Sequence, residues 1–167
     1  DGLLLLPYLT GERVPNVPRG KGVYYGLIPA TFKAGHLARA AMEGVTMGLN
    51  YGLNRLRELG IDPEEIRLTG GGARNRAWRR IAADVFNAEI VTLKEEGCAA
   101  YGAALQAMWT YRLQQGERVT MSKITDDLVE LDESSRLKPI KRNVEIYERL
   151  QSTQDRLSRD LRELFND

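Results

Sequence analysis

The sequence has few of the residues that build disulfides and most metal sites: one cysteine and one histidine occur in 167 residues. Cys98 cannot form an internal disulfide, and no Cys or His stands near it at metal-ligand spacing. We therefore expect Cys98 to be a small packing residue in a chain that works in a reducing cytoplasm. We expect His36 to be a helix cap or surface group and not a catalytic base.

An excess of charge of one sign is also lacking, and so is a long apolar run. Lys and Arg number 24 against 23 for Asp and Glu. This balance argues against a nucleic-acid partner, and the absence of an apolar run of about 18 residues argues against a membrane partner. A hydrophobic content of 43% is enough to form the core of one domain. The chain opens on Asp1 and enters an apolar run directly, so we expect a piece of a larger protein.

Sequence patterns divide this single domain into three segments. Residues 1–33 hold a buried strand at Leu3–Leu6, without an immediate partner, and a loop rich in Pro and Gly. Residues 34–115 form the βα core, and residues 116–167 are read as a polar linker over 117–138 followed by a C-terminal helix.

The core segment opens with a long helix from Ala34, which Gly60 is expected to cap. Gly44, Gly48 and Gly52 lie four residues apart within it, and each costs about 1 kcal/mol relative to alanine. We therefore expect another backbone to pack closely against all three, so that Gly48→Leu would overpack the fold.

The rest of the core segment alternates between strand and helix patterns. A strand over Ile66–Thr69 precedes an amphipathic helix, and a second strand over 88–93 precedes another helix. This βαβα order favours a parallel sheet in an α/β fold.

The stretch TGGGAR, residues 69–74, lies between the first of these strands and its helix. Three glycines at the carboxyl end of a parallel strand leave backbone that a phosphate can approach, although a tight turn without a ligand is the structural alternative. The stretch is not a P-loop, because no Lys-Ser or Lys-Thr follows. An NAD-type dinucleotide fingerprint would have Asn75 at its third glycine position and Glu95 as its ribose-binding acid, and it stays open as an alternative.

Four motifs in order resemble the FGGY carbohydrate kinases. The stretch GVYYGLIPATFKAGHLARAAMEG, residues 22–44, is similar to the second signature of that family. The stretches LLLLPYLTGERVPNVP, LTGGGARN and EEGCAAYGAA resemble three further motifs of its xylulose-phosphorylating members. The resemblance covers most of residues 2–115.

The resemblance implies a ribonuclease H-like, actin-like ATPase fold, of which this chain would be the greater part of the C-terminal, nucleotide-side domain. By similarity Gly71 and Gly72 would lie against ATP or ADP with Ala73 beside them. Either Asn75 or Arg76 would supply a polar contact, and helix capping is the structural alternative for Asn75.

The resemblance also implies which parts of the reaction lie elsewhere. ATP with Mg²⁺ would phosphorylate a pentulose, D-xylulose, held mainly by an N-terminal domain that this sequence does not contain. The catalytic Asp of the family belongs upstream, so no catalytic residue is assigned here. A non-catalytic scaffold of the same fold, which would bind no nucleotide, stays open as an alternative. A homodimer is compatible with the resemblance. Glu95 and Glu96 are expected to favour the start of the following helix, with indirect assistance to magnesium as the alternative.

Overall fold

The computed structural model describes residues 2–95 and 97–166, which contain five strands and six helices. Glu96 therefore lies outside the described residues, and so does its expected role. The elements in chain order are β1 (Leu4–Pro7), β2 (Gly22–Tyr25), α1 (Ala34–Glu58), β3 (Glu65–Leu68), α2 (Gly71–Arg74), α3 (Arg76–Phe86), β4 (Glu89–Leu93), α4 (Cys98–Gln114), α5 (Met121–Leu128), β5 (Leu131–Leu137) and α6 (Lys141–Asp160).

The first strand has a partner close by in sequence, so the prediction that it lacks one is wrong. β1 pairs with β2 as an antiparallel ribbon, from Leu4 opposite Tyr25 to Pro7 opposite Gly22. The intervening loop is ordered locally by the Glu12 carboxylate, which accepts hydrogen bonds from the backbone N–H groups of Arg13 and Val14. Sequence reasoning missed β2 because its side chains are mostly exposed and show no apolar alternation.

The predicted parallel pairing is confirmed for two strands. β3 and β4 are parallel neighbours, joined by the α3 crossover, with Ile66 opposite Ile90. β5 then joins β4 in the antiparallel direction, which gives a mixed sheet in the order β3-β4-β5. The α/β fold class is confirmed, whereas the sheet is not parallel throughout.

The linker predicted over residues 117–138 is wrong, because helix α5 and strand β5 occupy most of it. Polar contacts hold this strand, so it has no hydrophobic signature. The Ser135 hydroxyl accepts a hydrogen bond of 2.8 Å from the Thr92 N–H. Arg136 donates to Glu65 and Glu89, and its hydrogen bond holds the pKa of Glu65 below the usual value.

Helix α1 ends as the sequence predicts. Gly60 follows the last turn with a φ of +86°, and the N–H groups of Gly60 and Ile61 bond back to the carbonyls of Arg57 and Leu56. This pair of bonds is the Schellman motif, which satisfies carbonyl groups at a helix end.

The main core lies between α1, α3, α6 and the two sheets. The side chains of Met47, Ile81 and Ile90 are fully buried in it. α6 crosses behind α1 and β1, where Tyr8 donates a hydrogen bond to Ser158 and Gln154 donates one to the Gly44 carbonyl. The predicted C-terminal helix is thus confirmed and packs on the core.

Close packing at the α1 glycines is confirmed at one position only. A Cβ added to Gly44 would collide with the backbone carbonyl of Leu5 in β1. A Cβ on Gly48 or Gly52 would meet no atom of the described residues within 4 Å. The expectation of a close backbone neighbour at Gly48 and Gly52 is therefore wrong for the residues described, and the open space beside Gly48 argues against overpacking by Gly48→Leu.

None of the helices described over residues 2–95 and 97–166 combines the length and the apolar character that crossing a bilayer requires.

Candidate functional site

The glycine run forms a tight turn at the carboxyl end of β3. Gly70 has a φ of +82° and a ψ of −170°, a conformation that only glycine adopts readily. The Ala73 N–H then bonds to the Gly70 carbonyl at 3.1 Å, and the Asn75 N–H bonds to the Gly72 carbonyl at 3.2 Å. The chain thus makes one helical turn, α2, before α3 begins.

Asn75 caps α3. Its side-chain Oδ1 accepts hydrogen bonds from the N–H groups of Ala77 and Trp78 at 2.9 and 3.2 Å. The capping interpretation of Asn75 is confirmed, and its carbonyl oxygen is engaged in that role. This cap stands where a dinucleotide fingerprint would place its third glycine. Arg76 is the exposed first residue of the helix.

The two glycines of α2 differ in what surrounds them. A Cβ on Gly71 would have no neighbour within 4 Å, so this position opens onto free space. A Cβ on Gly72 would lie 3.4 Å from the Trp78 ring, so Gly72 packs on the protein. Trp78 in turn donates a hydrogen bond of 2.9 Å to Thr46 of α1, which fixes the turn to the long helix.

The turn after β4 lies beside this turn and completes a cleft. Gly97 precedes α4 with a φ of +74°, and the Cys98 thiol lies 3.5 Å from the Glu95 carbonyl oxygen. Because β3 and β4 are parallel, their carboxyl ends meet at one edge of the sheet. A cleft of about 1020 Å³ opens there, lined from β3 and its turn, from β4 and its turn, and from Asp132 of β5.

Charged side chains of both signs line the cleft. The lining includes the cations Arg74, Arg79 and Lys94 and the anions Glu95 and Asp132. Lys94 pairs with Glu130 at 2.5 Å, and this hydrogen bond raises the Lys94 pKa. With Glu130 counted, cations and anions at the cleft balance, so charge excess alone does not select an anionic ligand there.

Arg79 is a functional candidate that sequence reasoning missed. Its Nη1 donates a hydrogen bond of 2.6 Å to the Ala73 carbonyl, which ties α3 to the glycine turn. Its Nε is buried and has no hydrogen-bond partner among the described residues. A guanidinium with donor capacity left at a cleft is suited to phosphate oxygens. No sequence signal distinguishes it from the other arginines of α3.

The predicted contacts are only partly brought together. Gly71 and Ala73 line the cleft, whereas Gly72, Asn75 and Arg76 are not among its lining residues. Cys98, expected to be a packing residue, also lines the cleft. His36 lies instead at a second cavity of about 500 Å³, between α1 and α6, beside Arg39 and Tyr147.

The described residues, 2–95 and 97–166, contain no group of three or more His, Cys, Asp or Glu side chains that could hold a metal ion. Glu95 and Asp132 are the carboxylates at the cleft. Magnesium in nucleotide sites is bound largely by phosphates and water with one or two carboxylates, so these residues fit a supporting role.

Comparison with known proteins shows which family this site belongs to. The model of the C-terminal domain of the FGGY family of carbohydrate kinases matches residues 1–111. A xylulose kinase of Haemophilus influenzae is 40% identical over 148 residues, which are 89% of this chain and 29% of that protein. A gluconokinase of Bacillus subtilis is 37% identical over 111 residues, or 65% of this chain and 21% of that protein.

Solved structures agree over the whole chain. The xylulose kinase of Rhodospirillum rubrum superposes with a TM-score of 0.82 at 29% identity, over 100% of this chain and 32% of that one. The gluconate kinase of Lactobacillus acidophilus gives 0.84 at 27% identity, over 99% and 32%. The chain thus spans about a third of the length of the relatives it matches, and it belongs to the FGGY family of carbohydrate kinases, with the actin-like ATPase fold of that family.

Proposed function

We propose that this chain is the nucleotide-binding part of a cytoplasmic carbohydrate kinase that transfers the γ-phosphoryl group of ATP to a hydroxyl of D-xylulose and so forms xylulose 5-phosphate. The observation that carries the proposal is the open backbone of Gly71 in the cleft where the β3 and β4 turns meet. Family membership supports the kinase class, and the xylulose kinases among the relatives support the acceptor.

The nucleotide would lie along the glycine turn. Gly71 has no side chain, and the space beside it is free, so a phosphate or ribose can approach the backbone there. Ala73 extends that wall of the cleft. Gly72 would act indirectly, because its packing on the Trp78 ring positions the glycine turn. Either Asn75 or Arg76 would add a polar contact to a part of the nucleotide that extends past the cleft lining, and the Asn75 amide nitrogen is the group that capping leaves unused.

Arg79 would supply charge at the same place. Its bond to the Ala73 carbonyl holds the turn, and its guanidinium lines the cleft, where it would meet phosphate oxygens. ATP with Mg²⁺ supplies the phosphoryl donor for in-line transfer. Glu95 and Asp132 would orient water around the metal, and no other step of the reaction is assigned to this chain.

The sugar and the general base would lie in the part of the protein that this chain does not span. Loss of a general base commonly removes about 10² to 10⁴ of rate, and loss of acceptor positioning removes much more. The 167-residue chain alone is therefore expected to bind nucleotide without phosphorylating D-xylulose. A coupled assay measures ADP release. If an activity that depends on D-xylulose copurified with the chain, it would contradict the assignment of the sugar and the general base to the rest of the protein.

Isothermal titration calorimetry with ADP, ATP and NAD tests the binding proposal. We expect ADP and ATP to bind and NAD not to bind. Gly71→Val should weaken ADP binding at least tenfold, about 1.4 kcal/mol, because the added side chain fills the ligand's space. The structure sharpens this test, since the Cβ of a side chain at position 71 would meet no atom of the described residues within 4 Å.

Gly35→Val is the matched control, because Gly35 also stands at a helix start with no neighbour within 4 Å but lies outside the cleft. It should leave ADP binding unchanged. Unchanged ADP affinity in a folded Gly71→Val variant would overturn the proposed site, and binding of NAD alone would favour a dinucleotide-binding module. A folded chain that binds none of the three would favour a scaffold.

A further inference from the structure

A third cavity, a crevice of about 360 Å³, lies between α1, α3 and α6. It shares no lining residue with the cleft at the glycine turn, and most of the side chains that line it are polar. Polar groups between packed helices are expected to be hydrogen-bonded. The partners of each group therefore show what a molecule in the crevice would have to supply.

A chain of hydrogen bonds among the lining residues fixes the orientation of two amides. The Gln151 Nε2 donates to the Asp155 carboxylate at 2.8 Å, and the Asn50 Nδ2 donates to the Gln151 Oε1 at 3.1 Å. An ionised carboxylate only accepts hydrogen bonds, so it determines which end of each amide faces its neighbour. The chain thus ends on the Asn50 Oδ1.

This oxygen is an acceptor without a donor. Asn50 is only 6% exposed, and its Oδ1 is buried with no hydrogen-bond partner among the described residues. An unsatisfied buried acceptor costs about 1–3 kcal/mol. A molecule that enters the crevice at Asn50 and donates a hydrogen bond to this oxygen would remove that cost.

The charge of the crevice is negative. Glu148 and Asp155 line it as carboxylates, and within the described part of the chain neither belongs to a salt bridge. Arg57 is the cation of the lining. Its Nε pairs with Asp62 at 2.8 Å, and its other two nitrogens donate to protein oxygens. The guanidinium is thus compensated by its own partner, and the two carboxylates are left without a counterion.

The two carboxylates lie along one face of α6. Glu148, Gln151 and Asp155 follow one another at spacings of three and four residues, which places them on the same side of the helix. Glu148 and Asp155 are separated by about 10 Å along the helix axis, at 1.5 Å per residue. Val85 and Val144 add apolar surface to the same lining. These features match an elongated ligand with a positive group near each end and an apolar stem.

We propose that the crevice between α1, α3 and α6 binds a linear aliphatic diamine in its doubly protonated form. One ammonium group would donate to the Asn50 Oδ1 and to Asp155, and the other would donate to Glu148. An ammonium group has three donors and no acceptor, which suits a lining whose unused groups are acceptors. The methylene stem would lie against Val85 and Val144. The site does not depend on the proposed nucleotide site, with which it shares no residue.

Isothermal titration calorimetry of the 167-residue chain with putrescine, a linear four-carbon diamine, tests the proposal at low ionic strength. We expect saturable binding of one putrescine per chain. The uncharged four-carbon diol of the same length should bind at least tenfold more weakly. Asp155→Asn should weaken putrescine binding at least tenfold.

Glu148→Gln has a matched control in Glu145→Gln. Both residues are exposed on α6 and both substitutions change the net charge equally, but Glu145 does not line the crevice. Glu148→Gln should weaken putrescine binding at least threefold, and Glu145→Gln should leave it unchanged. Glu148 is exposed, so its substitution should retain the parent's melting temperature and remains a valid test if Asp155→Asn destabilises the chain.

Three results would overturn the site: no saturable binding of putrescine, equal affinity for the diol, or equal weakening by Glu145→Gln and Glu148→Gln. Equal affinity for the diol would assign the crevice to neutral hydroxyl compounds, and equal weakening would reduce the effect to net charge. ADP titration of the same samples keeps the two proposals apart, because putrescine binding without ADP binding contradicts only the nucleotide site.

Discussion

The two faces of α1 have similar composition but very different surroundings. Gly44 and Met47 face β1, α3 and α6, and both are buried. Gly48 and Leu49 follow directly along the helix, yet no described atom approaches a Cβ at Gly48, and Leu49 is largely exposed. The energetic role of glycine thus depends on its surroundings. At position 44 glycine is required because a Cβ would collide with β1, whereas at position 48, one turn later, it only lowers the stability of the helix.

The largest expected effect tests the packed face. Met47→Ala removes a fully buried side chain from the main core and should lower the free energy of unfolding by about 2–5 kcal/mol. Urea denaturation followed by circular dichroism measures it. Val45→Ala is the control on the exposed side of α1, where a change within about 0.5 kcal/mol is expected. Equal losses for both would remove the distinction between the faces.

Gly44→Ala should destabilise the chain by about 1–3 kcal/mol, since the added methyl group would collide with the Leu5 carbonyl. Backbone cannot rotate away as a side chain can, so β1 would have to shift. The melting temperature should fall. A stability equal to that of the parent would show that β1 is not held against α1 as described.

Trp78→Phe tests the tie between α1 and the glycine turn and should cost about 1 kcal/mol. It removes the hydrogen bond to the Thr46 hydroxyl, which is buried and keeps only its own bond to the Met42 carbonyl. We also expect weaker ADP binding, because the Trp78 ring supports Gly72. Restoration of the parent's stability by pairing Trp78→Phe with Thr46→Val would identify the hydroxyl as the cause.

The smallest effect has the opposite sign. Gly48→Ala should stabilise the isolated chain by up to about 1 kcal/mol, because alanine favours the helix and meets no neighbour. Thermal melts of the variant and the parent measure the difference. Destabilisation of the chain would mean that Gly48 is already in close contact with another part of the protein.

Much of the fold could be predicted because local patterns determine it. The periodicity of α1, its end at Gly60, and the strand-helix alternation through β4 all follow from side chains whose environment is set by near neighbours in sequence. β2 and β5 could not be predicted. β5 is held by Arg136 and Ser135 through partners more than 40 residues away in sequence, and such contacts leave no local pattern.

The candidate site divides in the same way. The glycine turn and the capping role of Asn75 could be predicted from the sequence. A strand, three glycines and a helix start determine the local backbone geometry through neighbouring residues alone. Arg79 could not be predicted as a site residue. Its role depends on its hydrogen bond to the Ala73 carbonyl and on the buried position of its Nε, which only the folded structure shows.

The sequence by itself determined the family, the α/β class and the position of the glycine turn after β3, since each depends on residue types at short spacing. The tertiary structure alone decided which of the equivalent glycines is in contact, that β5 turns the sheet mixed, and that Lys94, Arg79 and Asp132 meet at one cleft. These outcomes depend on contacts between segments that are far apart in sequence. The spacing of residues within one segment does not determine which other segment packs against it.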